Sequence, residues 1–136
     1  MARPNESLAW PVSLEPAEEG GFVVNFPDFP EGWSQGETRE EALLRAADLL
    51  ETMVANYMAE GWDLPDPSPS TAGRPLVGLA PLVAAKAELY RAMCKARISP
   101  QQVRRLFDIH HASRLDQIEA AMRALGRRLV VTSDAA

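Results

Sequence analysis

Between residues 20 and 50 the chain fixes an order of elements before any other part of it is considered. Gly20 and Gly21 are followed by Phe22-Val23-Val24-Asn25-Phe26, then by Pro27-Asp28-Phe29-Pro30, then by Gly36-Glu37-Thr38-Arg39-Glu40-Glu41. Phe22, Val24 and Phe26 share a face at a period of two, the mark of a strand with one buried side. Neither proline of the next segment can donate to a ladder, so pairing is expected to break there. A third short strand is expected over residues 32–36, with Trp33 and Gln35 on one side. Thr38 with Glu41 is a capping box, in which the threonine oxygen accepts the backbone N–H three residues on. A helix therefore starts at this point. Strand, turn, strand and capped helix follow in that order.

The same patterns extend outward. Leu8, Trp10, Val12 and Leu14 alternate as a first strand, and Pro11 removes a donor from one of its edges. Residues 15–21, acidic and ending Gly-Gly, form a hairpin turn. After the cap, Leu43, Ala46, Ala47, Leu50, Met53, Val54, Tyr57 and Met58 make one apolar stripe, and Gly61 is placed to stop the helix in a left-handed conformation. Residues 63–71, with three prolines and two serines, read as an extended connector. A fourth strand is expected over residues 74–79. Pro81 opens a second helix over residues 82–97, with Leu82, Ala85, Leu89, Ala92, Met93 and Ala96 on a stripe. Ser99 with Gln102 caps a short third helix whose buried side is Val103, Leu106 and Phe107. A fourth carries Leu115, Ile118, Ala121, Met122 and Leu125 and stops at Gly126. Residues 128–132 alternate like a last short strand.

This is an α+β chain, with an N-terminal α/β domain and connector over residues 1–80 and a helical module over residues 81–136. At 136 residues and 46% apolar content it buries a real core. No apolar run reaches a membrane span, no secretory signal pattern opens the chain, and a cytoplasmic location is expected. Cys94 is the only cysteine, so one chain forms no disulfide, and a small buried apolar role is expected for it. The net charge of −5 divides unevenly. Residues 1–72 hold 14 Asp/Glu against three Arg, a charge of −11, and residues 73–136 hold 11 Lys/Arg against five Asp/Glu, a charge of +6. Two partners of opposite charge, or two ordinary solvated surfaces, both fit that division.

Three groups of residues carry possible chemistry. Seven acids lie between Asp28 and Glu51, which suggests a nuclease holding Mg²⁺. Their spacing opposes this, because Glu37, Glu40, Glu41, Asp48 and Glu51 fall in the first helical turn or opposite the apolar stripe, where charges are solvated and favoured by the dipole. His110 and His111 stand beside Asp108, but neighbouring side chains on a helix diverge by about 100° and rarely share one ion. No metal site and no cofactor is expected. Gln101, Gln102, Arg104 and Arg105 lie on the exposed side of the short helix, a composition suited to base edges and phosphates and equally to a solvated basic face.

The run from Trp10 to Gly61, with its Phe-Pro-Asp-Phe-Pro turn followed by Gln-Gly-Glu-Thr-Arg-Glu-Glu-Ala, closely resembles the HicB antitoxin family of bacterial type II toxin–antitoxin systems. The connector and Pro81-Leu82-Val83-Ala84-Ala85 continue the match. The resemblance implies a partial RNase H-like N-terminal domain without a nuclease centre and no enzymatic activity. It implies that this domain blocks HicA, a small basic mRNA-degrading toxin, with Asp28, Glu31, Glu37 and Glu40 as contact residues. It implies a C-terminal DNA-binding module of the helix-turn-helix branch, in which Gln101, Gln102, Arg104, Arg105, His110, His111, Ser113 and Arg114 face operator DNA, and a homodimer or homotetramer matching two half-sites. Between Ile98 and Val103 roughly ten residues of the motif's first helix are absent. Two other functions fit parts of the sequence: a metal-dependent nuclease on the same scaffold, and an oligomeric binding protein that has lost DNA binding.

Overall fold

The computed structural model describes residues 8–70, 73–98, 115–130 and 133. Five strands and three helices lie within them: β1 (Ala9–Pro11), β2 (Ser13–Pro16), β3 (Phe22–Phe26), β4 (Phe29–Gly36), α1 (Arg39–Glu60), β5 (Leu76–Gly78), α2 (Pro81–Lys95) and α3 (Leu115–Ala124). The chain divides into two compact units. One holds residues 8–56 and 64–79; the other gathers residues 57–63 with the described residues from Ala80 onward.

In the first unit β2, β3 and β4 form a three-stranded antiparallel sheet in that order, and β5 pairs antiparallel with β1. The expected first strand is thus two strands that part at Val12, whose N–H donates instead to the Pro75 carbonyl at 3.0 Å. Its burial also departs from simple alternation. Trp10 and Val12 are fully buried as expected, but Pro11 and Ser13 on the opposite side are buried too. β5 supplies the expected fourth strand, with Trp10 opposite Val77.

The turn after β3 is tighter than the two prolines suggest. Phe26 pairs with Phe29 across a loop of Pro27 and Asp28, so β4 starts at Phe29 rather than near Gly32. The pairing then slips: Phe26 faces Phe29 while Asn25 faces Trp33, leaving Pro30, Glu31 and Gly32 in the irregularity. A bulge is where a residue without an N–H is tolerated, which is how Pro30 is accommodated inside a strand.

β4 leads into α1 through a close approach. A side chain on Gly36 would lie 2.5 Å from the Ala42 nitrogen, and one on Gly32 would lie 2.7 Å from the Met53 sulfur. At Gly36, where the helix backbone itself comes this close, only glycine admits it, whereas the Met53 thioether facing Gly32 is the end of a flexible side chain. Thr38 Oγ1 accepts the Glu41 N–H at 3.1 Å, the expected cap. Ala42, Ala46, Leu50, Met53, Val54 and Met58 form the buried stripe. Ala47 is exposed and Ala42 takes its expected place, because the stripe is set by the side of the first turn that meets Gly36.

All three helices end in the same way. At α1, the Gly61 N–H donates to the Met58 carbonyl and the Trp62 N–H to that of Tyr57, while the Tyr57 and Trp62 rings meet edge to face at 5.4 Å. This is the Schellman arrangement with its accompanying hydrophobic contact, and Gly61 has φ +76° as the motif requires. α3 repeats the bonds at Gly126 (φ +71°) through Arg123 and Met122. α2 repeats them through Cys94 and Met93, but with Arg97 in the left-handed position at φ +62°. α2 buries a wider arc than expected: Lys86, Ala87 and Tyr90 are buried, while Leu82 and Ala96 are exposed. α3 packs on α2 through Ile118 and Met122. The expected helix over residues 99–107 lies outside the described residues, and residues 127–130 adopt no regular structure where a strand is expected.

A left-handed residue with a β-carbon costs roughly 1–2 kcal/mol. Replacing Arg97 by Gly relieves that strain at the expense of some unfolded-state entropy, so Arg97→Gly is expected to stabilise the protein by about 1 kcal/mol and to raise the thermal midpoint by roughly 4 °C. Thermal unfolding followed by circular dichroism measures it.

Candidate functional site

The first unit is strongly acidic. Its described residues carry 11 Asp/Glu against Arg39, Arg45 and Arg74, a charge of −8. The four acids predicted to contact a partner occupy the two ends of β4. Asp28 and Glu31 lie in the turn and the bulge at its start; Glu37 and Glu40 lie beyond its end, around the first turn of α1. Glu31, Glu37 and Glu40 are exposed and Asp28 is half-buried. Six residues of extended chain span at most about 20 Å, so the two pairs bracket an edge rather than forming one cluster.

Asp28 is committed to the protein's own chain. Its carboxylate accepts the Ser68 N–H at 3.0 Å and, through its other oxygen, the Ser68 hydroxyl. The connector, expected as a simple spacer, is pinned at further points of the same unit: Leu64 is buried, and the Trp10 indole N–H donates to the Pro65 carbonyl at 3.0 Å. Trp10 in turn meets Phe29 edge to face at 5.3 Å, and Phe29 meets Phe26 at 6.5 Å. These contacts are not legible in the sequence, because serine and proline in a connector carry no periodicity to mark a partner.

Among the described residues no three His, Cys, Asp or Glu side chains gather as a metal ion requires. The described carboxylates therefore do not form the cluster on which the nuclease reading depends. His110, His111, Asp108, Gln101, Gln102, Arg104, Arg105, Ser113 and Arg114, the residues tied to metal binding or to operator contact, all lie outside the described residues. No described helix is long and apolar enough to cross a membrane. One aromatic of the acidic unit stands exposed with no sequence pattern to mark it as functional: Trp33 on β4, 67% exposed.

In the second unit, the Tyr90 hydroxyl donates to the Trp62 carbonyl at 2.7 Å, fixing α2 to the chain just past the α1 cap. Cys94, expected to be buried, is half-buried. Its thiol is raised above its ordinary value of 9.0, chiefly by burial and then by the Asp63 carboxylate, with a Tyr90 hydrogen bond opposing. Burial and the neighbouring carboxylate both disfavour the thiolate, which is the reactive form.

The arrangement matches known proteins along most of the chain. The family described as HicB_like antitoxin of bacterial toxin-antitoxin system matches residues 9–88. Antitoxin HicB of Escherichia coli K12 is 35% identical over 133 residues, covering 90% of this chain and 96% of that protein. The chain belongs to the HicB-like antitoxin family. Antitoxin HicB 1 of Photorhabdus laumondii is 34% identical, with 93% of this chain and 88% of that protein covered, and Antitoxin HicB of Pseudomonas fluorescens is 31% identical, with 96% and 98% covered. These relatives carry the name of a non-enzymatic role. The match to the Photorhabdus protein runs over 138 positions yet spans 93% of a 136-residue chain, about 126 residues, so about a dozen of its positions have no counterpart in this HicB-like chain.

Two outcomes are expected. Asp28→Ala removes both bonds to Ser68; at an exposed site that is worth about 1 kcal/mol, a roughly fivefold faster hydrogen exchange of the Ser68 amide by NMR. For Cys94, the rate of alkylation by iodoacetamide rises with pH only above the ordinary thiol range, and Asp63→Asn shifts that rise to lower pH. The folded thiol holds its proton more tightly than the unfolded one, so its contribution to stability is present below the ordinary thiol range and is lost as pH rises through the raised value.

Proposed function

We propose that this HicB-like antitoxin captures a basic, HicA-type mRNA-degrading toxin with its acidic first unit and blocks the toxin's working surface. The charge of −8 on that unit, in a chain matched almost end to end by antitoxins, is the observation that carries the reading. Complementary charge speeds encounter and disfavours wrong partners, so an acidic domain suits a cationic RNA-binding target. The sheet of β2, β3 and β4 with α1 and the returning β5 supports a partial RNase H-like scaffold, and the dispersed carboxylates support its lack of a nuclease centre. Glu31, Glu37 and Glu40 are the exposed candidates for contact; Asp28 serves first to hold the connector.

The basic second half supports operator binding by a dimer or tetramer through Gln101, Gln102, Arg104, Arg105, His110, His111, Ser113 and Arg114. A second reading for this half keeps toxin capture and loses operator binding, because only four residues stand between Ile98 and Val103 where the resemblance implies the full first helix of the motif. The missing stretch between Ile98 and Val103 would remove the helix that braces a recognition helix on DNA.

Co-expression with the toxin of its own operon tests the first reading: growth arrest is relieved, the two proteins co-purify, and the association rate falls about tenfold between about 50 and 500 mM salt. A complex that does not form at low salt removes it. For the tail, operator affinity that falls steeply with salt and loses slope in Arg104→Ala supports DNA binding, whereas no binding at low salt selects the second reading.

A further inference from the structure

The alternation of β4 separates its two faces sharply. Gly32 and Gly36 meet α1, so Trp33 and Gln35 point to the side away from the helix; both are exposed, as is Glu31 in the bulge. The register continues that outward row across the sheet. Trp33 lies opposite Asn25, Gln35 opposite Val23, and Val23 opposite Glu15 on β2. β4 is also the last strand in the order β2-β3-β4, so a strand edge borders the same face. A tryptophan 67% exposed in the middle of an eight-residue edge strand is the kind of feature that proteins blunt unless something covers it.

We infer that this outward row, anchored on Trp33, is the surface on which a cationic protein partner docks. The inference rests on the toxin-capture reading and specifies where capture takes place. Tryptophan is among the residues that most often dominate binding energy, and its ring attracts Arg and Lys side chains laid across it. Glu15 on the same row supplies countercharge, within a unit at −8. A second copy of this chain would bring an equal negative charge to the same face, and like charges oppose that occupant. The row also lies between the acid pairs at the two ends of β4, so an apolar anchor sits at the centre of a polar rim.

The test uses the full chain and the purified toxin of its own operon, with binding measured by calorimetry. Trp33→Ala is expected to weaken binding by about 30-fold or more, and Glu15→Lys by several-fold. Leu44→Ala, at a leucine 71% exposed on α1, is expected to change it less than about twofold. A Trp62→Phe chain, in which Trp33 is the exposed tryptophan and Trp10 stays buried, reads the face without altering it: its emission shifts to the blue when toxin binds. Wild-type binding that Trp33→Ala leaves within about twofold, with no shift in emission, overturns the inference and leaves the antitoxin reading standing. Self-association lost in Trp33→Ala while toxin binding persists assigns the face to a second copy and also overturns it. Wild-type protein that does not bind the toxin removes both readings.

Discussion

The first unit depends on burying one indole whose N–H must be satisfied. Trp10 is fully buried, and an unpaired donor there would cost on the order of 1–3 kcal/mol. The Pro65 carbonyl takes that hydrogen bond, which obliges the connector to return across the strands instead of hanging free. Phe29 closes on the same ring because the turn at Pro27 and Asp28 is only two residues long. The same turn presents Asp28 to Ser68, so one short loop holds both the aromatic nucleus and the connector. Residues 64–79, which begin as an irregular segment, thereby end in a strand paired with β1.

The division of labour between the faces of β4 follows from two glycines. Because Gly32 and Gly36 let α1 lie directly on the strand, the helix buries Ala42, Ala46, Leu50 and Val54 against one side. The other side keeps Trp33 and Gln35 in solvent. The charges of this unit sit at defined points of the backbone: Glu37 and Glu40 stand beside a capped helix start, and Glu31 in the bulge of β4. Preorganised charge on a rigid scaffold loses little conformational entropy when a partner arrives. The first unit of the HicB-like chain is thus acidic on defined backbone, and among the described residues no three metal-ligating side chains gather.

Local signals in the chain were legible where one residue type answers one backbone requirement. Thr38 with Glu41 set the start of α1, and Gly61 and Gly126 the ends of α1 and α3, because caps are decided within four or five residues. The third cap escaped notice: Arg97 takes a conformation for which its sequence gives no signal, held by the bonds of Cys94 and Met93. Periodicity gave the helices but not their exact buried arcs. Ala47 and Ala42 are indistinguishable by type, and only the approach to Gly36 selects between them. Tyr90, whose hydroxyl reaches the distant Trp62 carbonyl, and Lys86 are likewise buried off the expected stripe.

By itself, then, the sequence determined the order of the main elements, both limits of α1 and the end of α3, the uneven charge and, through the Phe-Pro-Asp-Phe-Pro and Gly-Glu-Thr segments, the family. Tertiary structure alone decided the two-residue turn, the bulge that accommodates Pro30, the partner of the Trp10 indole and the capture of Asp28 by Ser68. It also decided that Trp33 stays largely exposed on the acidic unit. The physical reason is range. Caps and periodicity depend on neighbours a few residues away, whereas each of these latter features depends on which distant segment reaches a buried polar group or a bare glycine first.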